Sequence, residues 1–428
     1  MPLRPSRPGL AIDHYNDRVG ASREDNKLRS ADRSPWLKAV LAVAFLGGFL
    51  LSARLWGVSR SYPLVPVLEG LAAVPPFLAR VWFVALLALL AVIAVVRRSR
   101  AYILAFVVLA GLLGLLDQSR WQPWFYQYLF MFLALAFYPR GDGDPEKRET
   151  ALNVCRLIVA STYLWSGLQK LNAGFFDSLF PWLVGPLVTL LPGSLGDPVR
   201  SVALVVPFVE ASIGIGLLTR RFRDWAVVLA LGMHAFVLFC IGPLGHGWNT
   251  VVWPWNVAMS VFVVLLFWRI EDFSPKKVLL PARRYPYLHT VVLVLFAVMP
   301  LFGLFGLWDS YLSASLYSGN DKKGTLFIDE TVKDKMPAGI RERVADLPAG
   351  EKYTLNISRW SYEELNVPPY PETRVFRSLA RHVCSYAEEP SGVRLEIADR
   401  PTLSDHRAEI YDCSSVETGE HETVKLAE

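Results

Sequence analysis

The chain has 428 residues, of which 53% are hydrophobic and 14 are tryptophan, and a formal net charge of +5. That apolar content exceeds what a soluble protein of this length carries. The basic residues stand in short clusters between apolar runs, which argues against a nucleic-acid-binding face and for a membrane topology. The expected class is an all-α polytopic membrane bundle followed by a small α+β extramembrane domain.

Residues 1–35 are polar and of mixed charge. They are expected to form a disordered cytoplasmic tail, without the apolar core of a signal peptide. A membrane-crossing helix needs about 20 apolar residues. Nine stretches within 36–307 qualify: 36–56, 78–96, 101–117, 121–138, 151–171, 200–219, 224–242, 250–268 and 287–307. Segments 57–77 and 176–193 are also apolar, but prolines such as Pro63, Pro66, Pro181 and Pro186 interrupt them. They are expected to lie at the interface.

The loop charges orient these spans. With the N-terminus inside, the cytoplasmic loops are 97–100, 139–149, 220–223 and 269–284, the last with Arg269, Lys276, Lys277, Arg283 and Arg284. The opposite loops, 57–77, 118–120, 172–199 and 243–249, hold little beyond Arg60 and Arg120. By the positive-inside rule the chain belongs in a plasma (bacterial inner) membrane with residues 308–428 periplasmic or extracellular.

From Trp308 the composition becomes that of a soluble domain. Residues 325–329, 352–358, 393–399 and 408–412 alternate as strands do, and 373–384 carries an apolar stripe at helical spacing. Ser361 and Glu364 have the spacing of a capping box at the start of another helix. Cys384 and Cys413 fall on the side of the membrane where disulfides persist, and they are expected to pair. Cys155 and Cys240 lie in apolar spans and are expected to pack.

Ionisable residues inside spans are costly and therefore candidates for function. Glu210 lies ten residues before Arg220, and His234 ten residues after Asp224, on consecutive antiparallel spans. At 1.5 Å per residue both sit roughly 15 Å deep, near the bilayer middle. They are able to share a proton there, or merely to hold two helices together. Arg156 is expected to snorkel to the interface or to find a structural partner. Lys170 closes the span 151–171 on the outer side, where it either snorkels to the interface or meets a polar group, and Tyr163, Gly167 and Lys170 share one helix face. Gln169 and Asn172 flank the lysine. On the same outer surface the stretch 242–256 begins with a turn carrying His246, Trp248 and Asn249, with Trp253, Trp255 and Asn256 following in the next span, and its polar residues with Lys170 are read as the mouth of a polar-head site. No spacing typical of a metal site, a nucleophile elbow or a phosphate loop is present, so no metal is expected.

Arg156, the stretch YLWSGLQKLN (163–172), Glu210, Arg220, Arg221 and His234 together resemble the DoxX/MauE-like membrane proteins. They also resemble the HTTM domain, the transmembrane part of vitamin K-dependent gamma-carboxylases. The resemblance covers about 150–270. It implies work with quinones, thiols or the maturation of exported redox enzymes. It also implies that Lys170 matches the lysine that acts as base towards vitamin K hydroquinone. On this reading Lys170, Glu210 and His234 form the catalytic group of a quinone- or thiol-linked protein. Tyr163, Gln169, Asn172, His246, Trp248 and Asn249 bind the ligand, with an isoprenoid quinone as cofactor and the lipid bilayer as surroundings. The alternative is a non-catalytic anchor or assembly factor that presents residues 308–428 to an exported protein. Then Lys170→Ala is silent and deletion of 315–428 abolishes function.

Overall fold

The computed structural model describes residues 33–68, 74–137, 145–281, 286–347, 353–400 and 407–425. The expected N-terminal tail lies almost wholly outside these, as do Arg283 and Arg284. Nine main helices build the first part: α1 (Ser34–Leu51), α2 (Pro76–Val95), α3 (Arg100–Leu115), α4 (Pro123–Phe137), α5 (Pro145–Leu168), α6 (Val206–Leu217), α7 (Arg223–Ile241), α8 (Val252–Phe267) and α9 (Pro286–Gly303). Several begin with proline, whose fixed φ and missing N–H suit the first helical turn. Rings from α1, α3 and α4 fill the centre of the bundle: Phe45 meets Phe106 at 5.0 Å and Tyr128 at 5.2 Å between ring centres.

Each expected span contains a helix, but length and composition do not support nine membrane crossings. Among the described residues α1, α2, α7 and α9 are long and apolar enough. A fifth arises if Gly193–Leu204 and α6, bent by 47°, are one broken span. Helices α3, α4 and α8 are apolar but have 16, 15 and 16 residues. At 1.5 Å per residue they fall short of the roughly 30 Å hydrocarbon layer. Helix α5 spends its first turns on charged residues, Glu146 to Glu149.

Helix α5 lies against α6, and glycines let the two backbones touch. A Cβ on Gly167 would stand 2.4 Å from the Ala211 nitrogen, and one on Gly214 2.6 Å from the Ala160 carbonyl oxygen. This is the small-residue packing that close membrane helices need. Between α5 and α6 the chain forms short helical pieces, among them Phe180–Leu183 and Gly185–Leu190, where prolines were expected to break the span.

The C-terminal part is a six-stranded antiparallel sheet, in the order β2-β3-β1-β4-β5-β6. The strands are β1 (Lys323–Ile328), β2 (Ala345–Asp346), β3 (Tyr353–Asn356), β4 (Val393–Ala398), β5 (Arg407–Asp412) and β6 (Glu422–Lys425). Four were expected. The other two are edge strands, one only two residues long and the other largely exposed, so neither shows the alternation that marks a half-buried strand. Helices α10 (Ile357–Leu365) and α11 (Thr373–Cys384) pack against the sheet. The Cys384 and Cys413 sulfurs are bonded.

The capping-box expectation is corrected. Helix α10 begins four residues before Ser361, and the Asn356 side chain caps it by accepting from the Arg359 N–H at 2.8 Å. Ser361 is inside the helix and donates to the Val367 carbonyl. Glu364 instead reaches the bundle. Its carboxylate accepts from the Ser61 N–H at 2.5 Å, the Tyr62 N–H at 3.1 Å, the Trp360 indole at 3.0 Å and the Ser61 hydroxyl.

Further bonds fasten the two parts. Asn366 donates to the Leu51 carbonyl at 2.9 Å and the Thr250 hydroxyl at 2.7 Å. Gln122 donates to the Pro368 carbonyl. Arg374 donates to the Gln118 side chain and pairs with Asp309. The C-terminal sheet is thus docked on the helices rather than hung from them.

Candidate functional site

Helices α5, α6, α7 and α8 surround a cavity of about 550 Å³. Its walls are mostly apolar, from Phe175, Phe180, Val206, Val209, Phe236 and Val237 among others. Val202, Val205, Val228 and Leu229 line it and are also exposed on the outside of the bundle, so the cavity reaches the outer wall there. Into this apolar space project Tyr163, Ser166 and Lys170 from the α5 end, Glu210 from α6, His234 from α7 and Asn256 from α8.

The polar groups fall into two sets. In the first, the Lys170 ammonium pairs with Glu210 Oε2 at 2.9 Å and donates to the Ser166 carbonyl at 3.0 Å and the Ser166 hydroxyl at 2.9 Å. An ammonium has three hydrogens, and all three have partners. Lys170 and Glu210 are each 8% exposed, so the pair is buried. In the second set Tyr163 Oη meets His234 Nε2 at 2.6 Å, and His234 Nδ1 meets Asn256 Oδ1 at 2.8 Å. Glu210 and His234 share the cavity, yet among the described contacts each is joined to its own set and not to the other. Arg156 stays away from the cavity and finds structural partners: Glu149, Asn153 and the Leu266 carbonyl.

Of the six residues read as ligand-binding, Tyr163 lines the cavity. Gln169, Asn172 and Asn249 hold the segment that covers it, and His246 and Trp248 pack on neighbouring rings off the cavity wall. The segment after α9 brings Leu316 and Tyr317 onto the cavity wall as a roof. Asn249 donates to Tyr317 Oη at 3.0 Å. Asn172 donates to the Ser318 carbonyl at 2.9 Å, and Gln169 accepts from the Asn320 amide at 2.7 Å. His246 stacks on Trp182 with ring centres 4.2 Å apart and donates to its carbonyl. Trp248 lies on Tyr362 at 4.4 Å.

The roof is tightly specified. Tyr317 and Asn249 both have left-handed backbones, φ 56° and 48°, which for a ring as bulky as tyrosine is strained. Gly319, φ 72°, rests so close to the chain below that a Cβ would stand 2.4 Å from the Phe175 nitrogen. Nearby, burial raises the Asp321 carboxyl to about 7, partly offset by a hydrogen bond from Ser315.

Leu316 and Tyr317 are not among the site residues read from the sequence, and Asn256 enters there only with the outer-surface stretch 242–256. A lone amide in the apolar run VWPWNVAMSVFVVLLF is a signal of its own, by the same cost argument that singled out Glu210 and His234. Leu316 and Tyr317 give no such signal, because only the docking of the C-terminal part brings them to the cavity. Among the described residues no group of three or more His, Cys, Asp and Glu is arranged to hold a metal ion. Comparison with protein-family models, with curated proteins and with solved structures finds no match to this chain.

Proposed function

We propose that the chain is a multi-pass membrane protein whose cavity takes the ring of a neutral isoprenoid lipid, a quinone or its quinol, with the tail leaving between α6 and α7. In this reading the apolar helices lie in the bilayer, those shorter than its hydrocarbon layer where it is locally thinned. The N-terminus is cytoplasmic and the C-terminal sheet lies outside.

The observation that carries the reading is the Lys170–Glu210 pair set in an apolar cavity that reaches the outer wall of the bundle. The two charges cancel. Among the described residues the wall offers a phosphate head no uncommitted cation, whereas the hydroxyl of a neutral ring needs an acceptor, and Glu210 has lone pairs beyond its contact with Lys170. The resemblance of 150–270 to quinone-handling membrane proteins points the same way. A thiol-linked reaction has less support, since neither Cys155 nor Cys240 is on the cavity wall.

The pair also redistributes the roles. With three partners on its ammonium, Lys170 is a charged holder rather than a base, and Glu210 is the proton acceptor. A quinol hydroxyl gives its proton to the Glu210 carboxylate, forming a carboxylic acid and a quinolate, and the Lys170 ammonium faces the new anion. No electron moves in this step. His234 belongs to the same proton chemistry through its own contacts with Tyr163 and Asn256.

The test is mass spectrometry of an organic extract from the full chain purified in native-lipid nanodiscs, beside Lys170→Ala and Glu210→Gln. A quinone or quinol enriched in the unaltered protein and depleted in both variants is expected. Bulk lipid alone in all three samples would sink the reading and leave the anchor or assembly-factor role.

A further inference from the structure

Tyr163, His234 and Asn256 come from three different helices and converge on one wall of the cavity. Their contacts fix a direction. The Asn256 amide nitrogen donates to the Val252 carbonyl at 2.9 Å, one turn back along its own helix. That leaves its oxygen facing His234 Nδ1 at 2.8 Å. An amide oxygen only accepts, so Nδ1 carries the ring hydrogen. In a neutral imidazole Nε2 is then a bare lone pair. Its partner at 2.6 Å is the Tyr163 hydroxyl, which is the donor.

We propose that Asn256 and His234 make Tyr163 a second proton-accepting group of the cavity, separate from Glu210, so that the site suits an occupant with two exchangeable protons, a hydroquinone. This rests on the quinone reading above. Tyr163 touches the occupant; His234 and Asn256 act through it and are positioning residues. When an occupant hydroxyl gives its proton to the Tyr163 oxygen, the phenol's own proton passes to His234 Nε2. One occupant O–H bond breaks and one phenol O–H bond forms. The former phenol O–H breaks and an Nε2–H bond forms. The products are an occupant anion and an imidazolium, with no electron transferred.

The triad is built for both states. The imidazolium keeps each contact, with Nδ1–H still donating to Asn256 and Nε2–H now donating to Tyr163, so no ring has to turn. The other charged groups on this cavity, Lys170 and Glu210, are engaged with one another. Glu210 and Tyr163 thus offer acceptors from separate sets of partners. A helix-gluing role for the triad would need the same hydrogen bonds but no traffic through them.

The experiment is nitrogen NMR of the full chain, labelled with ¹⁵N-histidine, in nanodiscs, with His234→Gln identifying the His234 signals. Without ligand, the unaltered protein is expected to show a protonated Nδ1 and an unprotonated Nε2. Asn256→Leu is expected to convert much of it to the opposite tautomer. Adding decyl-benzoquinol should shift the Nε2 signal towards the protonated form, and Tyr163→Phe should abolish that shift while leaving the tautomer in place.

A protonated Nε2 in the ligand-free unaltered protein overturns the proposal. So does a tautomer indifferent to Asn256→Leu, or a quinol response that survives Tyr163→Phe. If Asn256→Leu does not fold, the tautomer of the unaltered protein and the Tyr163→Phe response decide alone. Quinone found in the lipid extract with no Nε2 response refutes the relay and spares the quinone reading. No quinone in the extract and no response refutes both.

Discussion

A double-mutant cycle on Lys170 and Glu210 measures whether they act as one unit. Among the described residues Lys170 is the only ion-pair partner of the Glu210 carboxylate, which is 8% exposed, and Lys170→Met removes it. An uncompensated buried charge of this kind costs about 3–5 kcal/mol. Glu210→Gln is milder, because the ammonium keeps the Ser166 carbonyl and hydroxyl. It loses one charge-assisted bond, about 1.5–3 kcal/mol. Lys170→Met with Glu210→Gln leaves no charge in the apolar space, and replacing a buried pair by neutral groups is often close to neutral. The double variant should therefore be more stable than Lys170→Met alone, with a coupling of about 4.5–8 kcal/mol on these figures. The assay is unfolding in mixed micelles by denaturing detergent, followed by helicity, on all four proteins. Additivity to within about 0.5 kcal/mol would show two independent groups. It would refute both the pairing and the assignment of Glu210 as the proton acceptor.

Four other outcomes follow from single contacts. Gly214→Val should push α5 and α6 apart, since even a Cβ would stand 2.6 Å from the Ala160 carbonyl oxygen. A loss of about 1–3 kcal/mol is expected from such overpacking, and unchanged unfolding would contradict the close crossing. Cys384→Ser, whose disulfide partner lies 29 positions along the chain, should weaken the C-terminal sheet by about 3–4 kcal/mol in oxidising buffer, read by protease sensitivity, and quinone retention should persist. Asp321, raised by burial from the ordinary carboxylate range to about 7, binds more protons folded than unfolded. Stability should fall as pH rises from about 4 to 7, and Asp321→Asn should flatten that slope in a melting-temperature series; an equal slope would dismiss the burial effect. Burial also pushes Glu364 up, but the bonds from Ser61, Tyr62 and Trp360 outweigh it and leave the carboxyl below 4.5. Its stabilisation is present above that value and is lost as pH falls through the lower folded value, so Glu364→Gln should flatten the acid limb, and an unaltered limb would place the anchoring elsewhere.

Much of the helical part was legible because burial in an apolar medium leaves few options for sequence. A run such as 224–242 has to be a helix, and Glu210, His234 and Lys170 stand out in their separate runs by cost alone. The number of crossings was less legible. Hydropathy marks an apolar run but does not say where its helix starts, and the run at 200–219 turns out to be bent by 47° near Val205. Pairing was beyond reach for a different reason. Depth along a helix follows from residue number, and Glu210 and His234 were rightly placed on neighbouring helices; rotation does not follow from it. The rotations seen turn Glu210 to Lys170 and His234 to Tyr163 and Asn256. Helix α10 misled for a local reason: Ser361 and Glu364 have capping-box spacing, but Asn356 earlier in the chain caps better, which released Glu364 to hold the bundle.

Where the ligand-site residues read from sequence ended up bears on how the two functional readings are told apart. Gln169, Asn172 and Asn249 hold the segment that carries Leu316 and Tyr317, so part of the cavity wall belongs to the chain beyond α9. If residues 308–428 were a module merely displayed on an anchor, removing them would leave the cavity closed. Here, deletion of 315–428 takes Leu316 and Tyr317 with it and opens the cavity above Tyr163 and Lys170. Loss of function in that deletion is then expected from a quinone protein as much as from an anchor. The informative perturbation keeps the roof and spoils only the sheet. Cys384→Ser does this, because the disulfide joins the end of α11 to the residue after β5 and neither cysteine lines the cavity. An anchor whose activity resides in the sheet should lose function in that variant. A quinone site built by α5 to α8 and the roof should keep its bound lipid.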